Sequence, residues 1–402
     1  MSGKYAKKNR LRPLSGKTRF LLILNAAFLL LAAFFGAKLS QATHRLITQS
    51  AAEVWRGDSD MRFAQVSCFL PADQTKTESD IQSFHQTLDA EMVTASLTAP
   101  EGGSLYDDAW SGKATLSIDG QRGSVSVKTL GVGGDFFLFH PLVLRSGAYL
   151  SAKDFMQDRV VLDEELAWSL FGSYDVAGQT VTIGGRPYPV AGVVHRESDS
   201  ATKKAYQDGP GMFMSYGALN AIQKTGIDCY EIVMPNVVSG FARQLVSEKF
   251  AGIASAGDTS GGTTSSAGTG TGSTAGTGTG TAAAAAVAQP TASTAQAVVV
   301  ENSSRFSLGN LLKVQRNFGV RSMNENGILY PYWENAARLT EDYAALWLLL
   351  LSLSCICPIV CAVILIVRYV KKGVSYAQEV IPEKIEEKVE EEKEKHYTRT
   401  GI

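Results

Sequence analysis

Residues 160–194 read VVLDEELAWSLFGSYDVAGQTVTIGGRPYPVAGVV, and they switch between two periodicities. The opening residues are apolar up to Asp163, as in a buried strand. Glu164 to Phe171 then place Leu166, Ala167 and Leu170 at helical spacing, with acids at the front, where the positive helix end favours them. Gly172 is positioned to end that helix in the left-handed conformation. TVTI and YPVAGVV alternate around Gly184-Gly185, which predicts a tight hairpin with one face on a core. The stretch contains neither His nor Cys, so a well-formed unit appears without reactive chemistry.

The rest of the chain has a strongly uneven composition. It has 402 residues, a formal net charge of −1 and 45% hydrophobic residues. A near-neutral chain lacks the basic surface that nucleic-acid binding requires. Residues 1–19 hold seven Lys/Arg and no acid, and residues 20–37 are apolar except for Asn25. That length just crosses the roughly 30 Å hydrocarbon core. A second apolar run covers residues 344–367 and ends on Arg368, Lys371 and Lys372. The basic flanks predict two spans, at 20–39 and 344–367, with both termini cytoplasmic and residues 40–343 outside. A cleaved leader competes for the first span, because residues 39–42 offer a small-x-small site. The long apolar stretch and long basic leader favour an uncleaved anchor.

Within the external region, MRFAQVSCFL predicts a strand and ESDIQSFHQTLDAEM a helix burying Ile81, Phe84, Leu88 and Met92. SLYDDAWSGKATLSIDGQRGSVSVKTLGV predicts strands joined at an Asp119-Gly120 turn, and a second strand–helix unit follows in CYEIVMPN and VSGFARQLVSEKF. Residues 252–296 are almost all Gly, Thr, Ser and Ala, which predicts a disordered loop. Strand character returns at AVVVENSSRF, so this loop interrupts a domain without dividing two. A helical stalk at 331–343 leads to the second span. There Glu334, Arg338 and Asp342 at four-residue spacing predict an exposed charged face, and Tyr330, Tyr332, Trp333, Tyr343 and Trp347 suggest a membrane interface. Residues 368–402 form a charged cytoplasmic tail.

Motifs for chemistry fail on inspection. SGKT at 15–18 has Leu11 where a phosphate-binding loop needs glycine, and no strand precedes it. Gly131, Gly133 and Gly134 lack dinucleotide spacing, and Phe213 occupies the glycine position of a nucleophile elbow around Ser215. His44, His85, His140, His195 and His396 are scattered without metal-ligand spacing. Asp163, Glu164 and Glu165 could form an acid–base pair, but their place at a helix start explains them more simply. No catalytic, cofactor-binding or metal residue is assigned. Cys355, Cys357 and Cys361 fall in the second span, where small residues pack between helices. Cys68 and Cys229 are the two external cysteines; both lie in strand-like segments and form a candidate disulfide, with free thiols the alternative.

Together with GDFFLFHPLVLRSGAYLSAKDF before it, the quoted stretch resembles the periplasmic core domain of MacB-type ABC transporters and the related external domains of FtsX-like permeases. Phe136, Phe137, Gly147, Val160, Val161, Ala167, Leu170, Phe171 and Gly172 carry the likeness, followed by Gly178, Val181, Ile183, Val190, Gly192 and Val193. GMFMSYGAL resembles the family's next strand and turn. The resemblance implies an α+β external domain of two βαβ porter-like units, with a mostly β subdomain inserted at about 131–216. It also implies dimers that pass conformational change between a cytoplasmic ATPase and the outside. Such permeases have four membrane helices, whereas this sequence predicts two. The expectation is therefore a non-enzymatic, permease-like or accessory subunit in a bacterial cytoplasmic membrane, without cofactor. Its partners would be an ABC ATPase, a full permease or a second copy. A membrane-tethered sensor or surface-interaction protein on the same fold is the alternative.

Overall fold

The computed structural model describes residues 16–44, 46–99, 103–152, 154, 156–197, 199–205, 211–253, 296–318 and 327–400. Most of the basic leader and nearly all of the low-complexity tract lie outside the described residues. In chain order the elements are α1 (Gly16–Thr43), α2 (Ala51–Arg56), β1 (Phe63–Phe69), α3 (Glu78–Thr94), β2 (Asp107–Gly120) and β3 (Gly123–Gly134). There follow α4 (Phe136–Phe139), β4 (Val143–Gly147), β5 (Val160–Asp163), α5 (Glu164–Phe171), β6 (Thr180–Ile183), β7 (Arg186–His195) and α6 (Ser200–Ala205). The chain ends with β8 (Met212–Ser215), α7 (Tyr216–Ile222), β9 (Cys229–Pro235), α8 (Phe241–Leu245), β10 (Val298–Glu301), α9 (Leu308–Arg316) and α10 (Tyr332–Thr400).

Two units result, one up to Ser40 together with Leu346–Ile402, the other Gln41–Ala345. The first holds most of α1 and the greater part of α10. Gly16–Thr43 and Tyr332–Ser375 are each long and apolar enough to cross a membrane. Inside this unit Phe35 stacks on Trp347 with ring centres 6.0 Å apart.

The second unit is built on one sheet with strand order β10-β1-β9-β2-β3-β8-β5-β7-β4, and β6 pairs with β2 and β7. β9 runs antiparallel to both β1 and β2, and β1 antiparallel to β10. Thus β1-α3-β2 and β9-α8-β10 are two interleaved split βαβ units, the ferredoxin-like arrangement. Residues 123–222, between β2 and β9, extend the same sheet. Val160, Leu162, Leu166, Leu170, Val181 and Val190 pack there with Leu116, Ile118 and Val127 from the far end of the long hairpin.

Strand alternation sends β1 and β9 side chains to two different cores. Val66, Cys68, Tyr230, Ile232 and Met234 meet α3 and α8, where Ile81, Phe84, Leu88 and Met92 are all buried as their spacing predicts. Burying each such side chain stabilises by about 1.5–3 kcal/mol. α3 also starts as a capping box, with Thr77 accepting from the Asp80 N–H. Phe69, Cys229 and Val233 face the other way, toward α2, Phe136, Tyr330 and Trp333.

The quoted stretch folds as its pattern dictates. Asp163 caps α5 by accepting from the Leu166 N–H at 2.7 Å, and Gly172 ends it at φ 72°. Gly184 and Gly185 both have positive φ between β6 and β7, the requirement of a two-residue hairpin turn. Three details differ from the sequence reading. The β2–β3 turn falls at Gln121-Arg122, between paired Gly120 and Gly123, two residues beyond Asp119-Gly120. Glu334 and Arg338 do not form an exposed face but are only 2% and 4% exposed. Tyr330, Tyr332 and Trp333 are buried with them in a core.

Candidate functional site: a buried polar seam

The apolar core between the sheet and the start of α10 is crossed by a line of buried polar groups. β1 contributes Gln65 and Ser67 and β9 contributes Glu231, all on the face that carries Phe69 and Cys229. Glu231 is the central group. Ser67 Oγ donates to its Oε1 at 2.7 Å, and His140 Nε2 hydrogen-bonds its Oε2. Asn302 Nδ2 donates to Ser67 Oγ at 2.7 Å. The His140 ring lies between Phe136 and Trp333, with centres 4.5 and 4.3 Å away. A buried carboxylate persists only when its oxygens are satisfied, and here both oxygens are.

A second cluster adjoins the first. Arg305, buried just after β10, places Nη2 at 2.6 and 2.7 Å from the two oxygens of Glu334 and its Nε at 2.6 Å from Glu341. Arg338 Nε reaches Glu334 at 3.0 Å, and its guanidinium lies 3.8 Å over the Tyr330 ring. Burial works against the charge of Arg305, but Glu334 and Glu341 outweigh it, so the guanidinium holds its proton more tightly than usual. The planar fork of arginine suits such two-carboxylate binding.

The entry side of the unit is tied to the same face. Gln65 Nε2 donates to the Thr48 carbonyl at 2.8 Å, the Ala51 N–H donates to Gln65 Oε1 at 3.2 Å, and Arg305 Nη1 reaches Gln49 at 3.4 Å. Gln65 of β1 thus fixes the segment following α1, and Arg305 joins that segment to the first turns of α10.

Ser67, Glu231 and His140 include the residue types of a catalytic triad, but their order differs. The carboxylate sits between serine and histidine, so the imidazole cannot take the serine proton. All three are buried, and what the arrangement can do is hold elements in one register.

The residues that carry the resemblance lie in strands, turns and cores. Gly147 and Gly192 are paired across β4 and β7, where an added Cβ would lie 2.2 Å from the Ala191 carbonyl oxygen and 2.5 Å from that of Ala148. Gly178 needs only its positive φ of 84°. Val161 and Ala167 are fully buried, in the sheet–α10 core and the hairpin core respectively, with Phe171 packed partly against the latter. Phe137 stacks on Tyr149 at 4.6 Å, and Phe136 is the one motif residue that reaches the seam.

Cys68 and Cys229 are free thiols on neighbouring strands. Cys68 pairs in register with Tyr230 and faces α3, while Cys229 faces α10. The candidate disulfide fails because the pleat sends the two sulfurs to opposite sides of the sheet. Burial pushes the Cys68 thiol up to about 12 and raises that of Cys229 well above the ordinary range. Asp163 instead binds Arg196, which also reaches Glu165 at 3.0 Å, an ion pair within the α5 cap.

Reading the sequence for chemistry missed Glu231, His140, Arg305 and Glu341. One signal was available. Glu231 is the lone acid in CYEIVMP, a strand otherwise without a charged residue, and such an acid implies a buried partner.

The sequence profile of the MacB-like periplasmic core domain matches residues 21–247, more than half of the chain. No curated protein matches it. Among solved structures, the periplasmic region of MacB from Actinobacillus actinomycetemcomitans is similar over 47% of this chain and 85% of its own, with 20% identity and a TM-score of 0.34. The extracellular domain of the noncanonic ABC-type transporter YknZ from Gram-positive bacteria is similar over 46% and 88%, with 15% identity and a TM-score of 0.31.

Proposed function

The chain belongs to the MacB-like periplasmic core domain family, and from that premise we propose that it is a non-enzymatic, permease-like or accessory subunit of a MacB/FtsX-type ABC transport system. In this role both termini are cytoplasmic and the sheet-based unit stands outside the membrane. The seam is the observation that carries the reading. It fastens the segment after the first apolar helix to one face of the sheet and, through Arg305, ties the start of α10 to that segment, as a part that relays movement or holds a fixed posture must be fastened. A buried ion-pair network of this kind resists shear, because any displacement strands a charge in the core.

ATP hydrolysis is assigned to a separate subunit, since SGKT at 15–18 lacks the required glycine and Gly16–Thr18 open α1. Two spans supply half of the four that the family's permeases carry, so a full permease or a second copy completes the membrane part. Crosslinking in native membranes followed by mass spectrometry tests the proposal. The expected product joins this chain to an ABC ATPase or to a permease with further spans. Crosslinks confined to proteins outside any transport system would overturn the proposal in favour of a tethered sensor.

A further inference from the structure

The outward face of α9 is apolar where a solvated helix would be polar. Leu308 and Leu312, one turn apart, are 63% and 42% exposed, Arg316 follows on the next turn, and Phe318 lies just beyond. Leu311, between Leu308 and Leu312 in sequence, turns to the side and is buried. Two exposed leucines alone are ordinary on a protein surface; their position gives them meaning. Gln315 Nε2 donates to the main-chain oxygen of Ala345 at 2.8 Å. Ala345 is followed at once by LWLLLLSLSCICPIVCAVILIV. α9 is therefore held against the turn of α10 that leads into the apolar run.

α6 is anchored at the same turn. Lys204 Nζ donates to the Tyr343 hydroxyl at 2.9 Å, and Lys203 beside it is also exposed. The acids of that turn are occupied, because Glu341 binds Arg305 and Asp342 has a partner of its own. The rim of the unit around Tyr343–Ala345 thus displays Leu308, Leu312 and Phe318 together with Lys203, Lys204 and Arg316.

We infer that this rim docks on an anionic phospholipid surface, with α9 lying in the interface of the bilayer that α10 crosses. Leu308 and Leu312 reach the acyl boundary, and the basic side chains meet headgroup phosphates. Chain continuity brings lipid to the rim, and the charge of the rim selects anionic lipid.

The test uses the full chain in nanodiscs of phosphatidylcholine with or without phosphatidylglycerol. Leu312→p-benzoylphenylalanine, with Leu308→p-benzoylphenylalanine as a second position, is irradiated and the protein is weighed intact. Lipid adducts are expected at both positions, several-fold more abundant with phosphatidylglycerol, and absent from the same probe at Val143 on β4. Combined Lys203→Gln, Lys204→Gln and Arg316→Gln should abolish the phosphatidylglycerol preference. Adducts only to protein, or a lipid yield indifferent to phosphatidylglycerol or equal to that at Val143, would overturn the inference.

Discussion

At Arg305 a buried guanidinium meets Glu334 and Glu341, both buried acids. Arg305→Ala would remove the guanidinium that Glu334 and Glu341 share, leaving Glu334 to Arg338 alone, and should destabilise the unit by about 3–5 kcal/mol. Arg305→Lys, which keeps the charge but loses the fork, should fall between. Urea unfolding of the full chain in mild detergent measures both, and an alanine effect under about 1 kcal/mol would mean that water enters the seam. Asp107 gives a pH dependence. Burial, then the neighbouring Asp135, raises its pKa to about 7 from an ordinary 3.8. The folded state thus binds the proton more tightly than the unfolded one. That contribution is complete below about pH 4 and is lost as pH rises toward 7. Asp107→Asn should therefore be more stable than the parent at pH 8 by roughly 1–2 kcal/mol, discounted for the solvent that reaches the site, with little difference at pH 4. Thermal unfolding at the two pH values checks it. Cys68 and Cys229 should both block quickly with maleimide only after unfolding, because a buried neutral thiol is a poor nucleophile.

Glycine separates shape from strain within the inserted strands and helix. At Gly178 φ is 84° with open space around it, whereas Gly147 combines φ 75° with backbone 2.2 Å from an added Cβ. Gly178→Ala should lower stability by about 1 kcal/mol. Gly147→Ala should do distinctly worse, since strand β4 would have to leave β7. Comparing the two denaturation midpoints tests the difference. These elements were legible in sequence because their signals are local. Asp163 and Gly172 bound α5, Gly184-Gly185 sets a hairpin, and α3 shows its buried stripe. The first turns of α10 were misread for a physical reason. Glu334 and Arg338 at four-residue spacing look the same on a solvated helix and in a core, and only the arrival of Arg305 from 29 residues earlier distinguishes them. Likewise a pleat decides which way Cys68 and Cys229 point, and pairing register decides the pleat.

In the whole molecule, fold and topology came from pattern, and the seam came from tertiary contact. Two apolar runs, a βαβ grammar and the motif at residues 160–194 sufficed to indicate the family. The seam depends on residues 65, 67, 140, 231, 305 and 334 gathering from nearly the full length of the external unit. No spacing rule joins such distant positions. The central claim is that this chain works within an ABC transport assembly. Its most direct test is purification of the full chain from native membranes in mild detergent, with measurement of what accompanies it. The account predicts co-purification of an ABC ATPase in fixed ratio, together with ATP hydrolysis in the purified material. Repeated recovery of this chain alone, without hydrolysis, would contradict it.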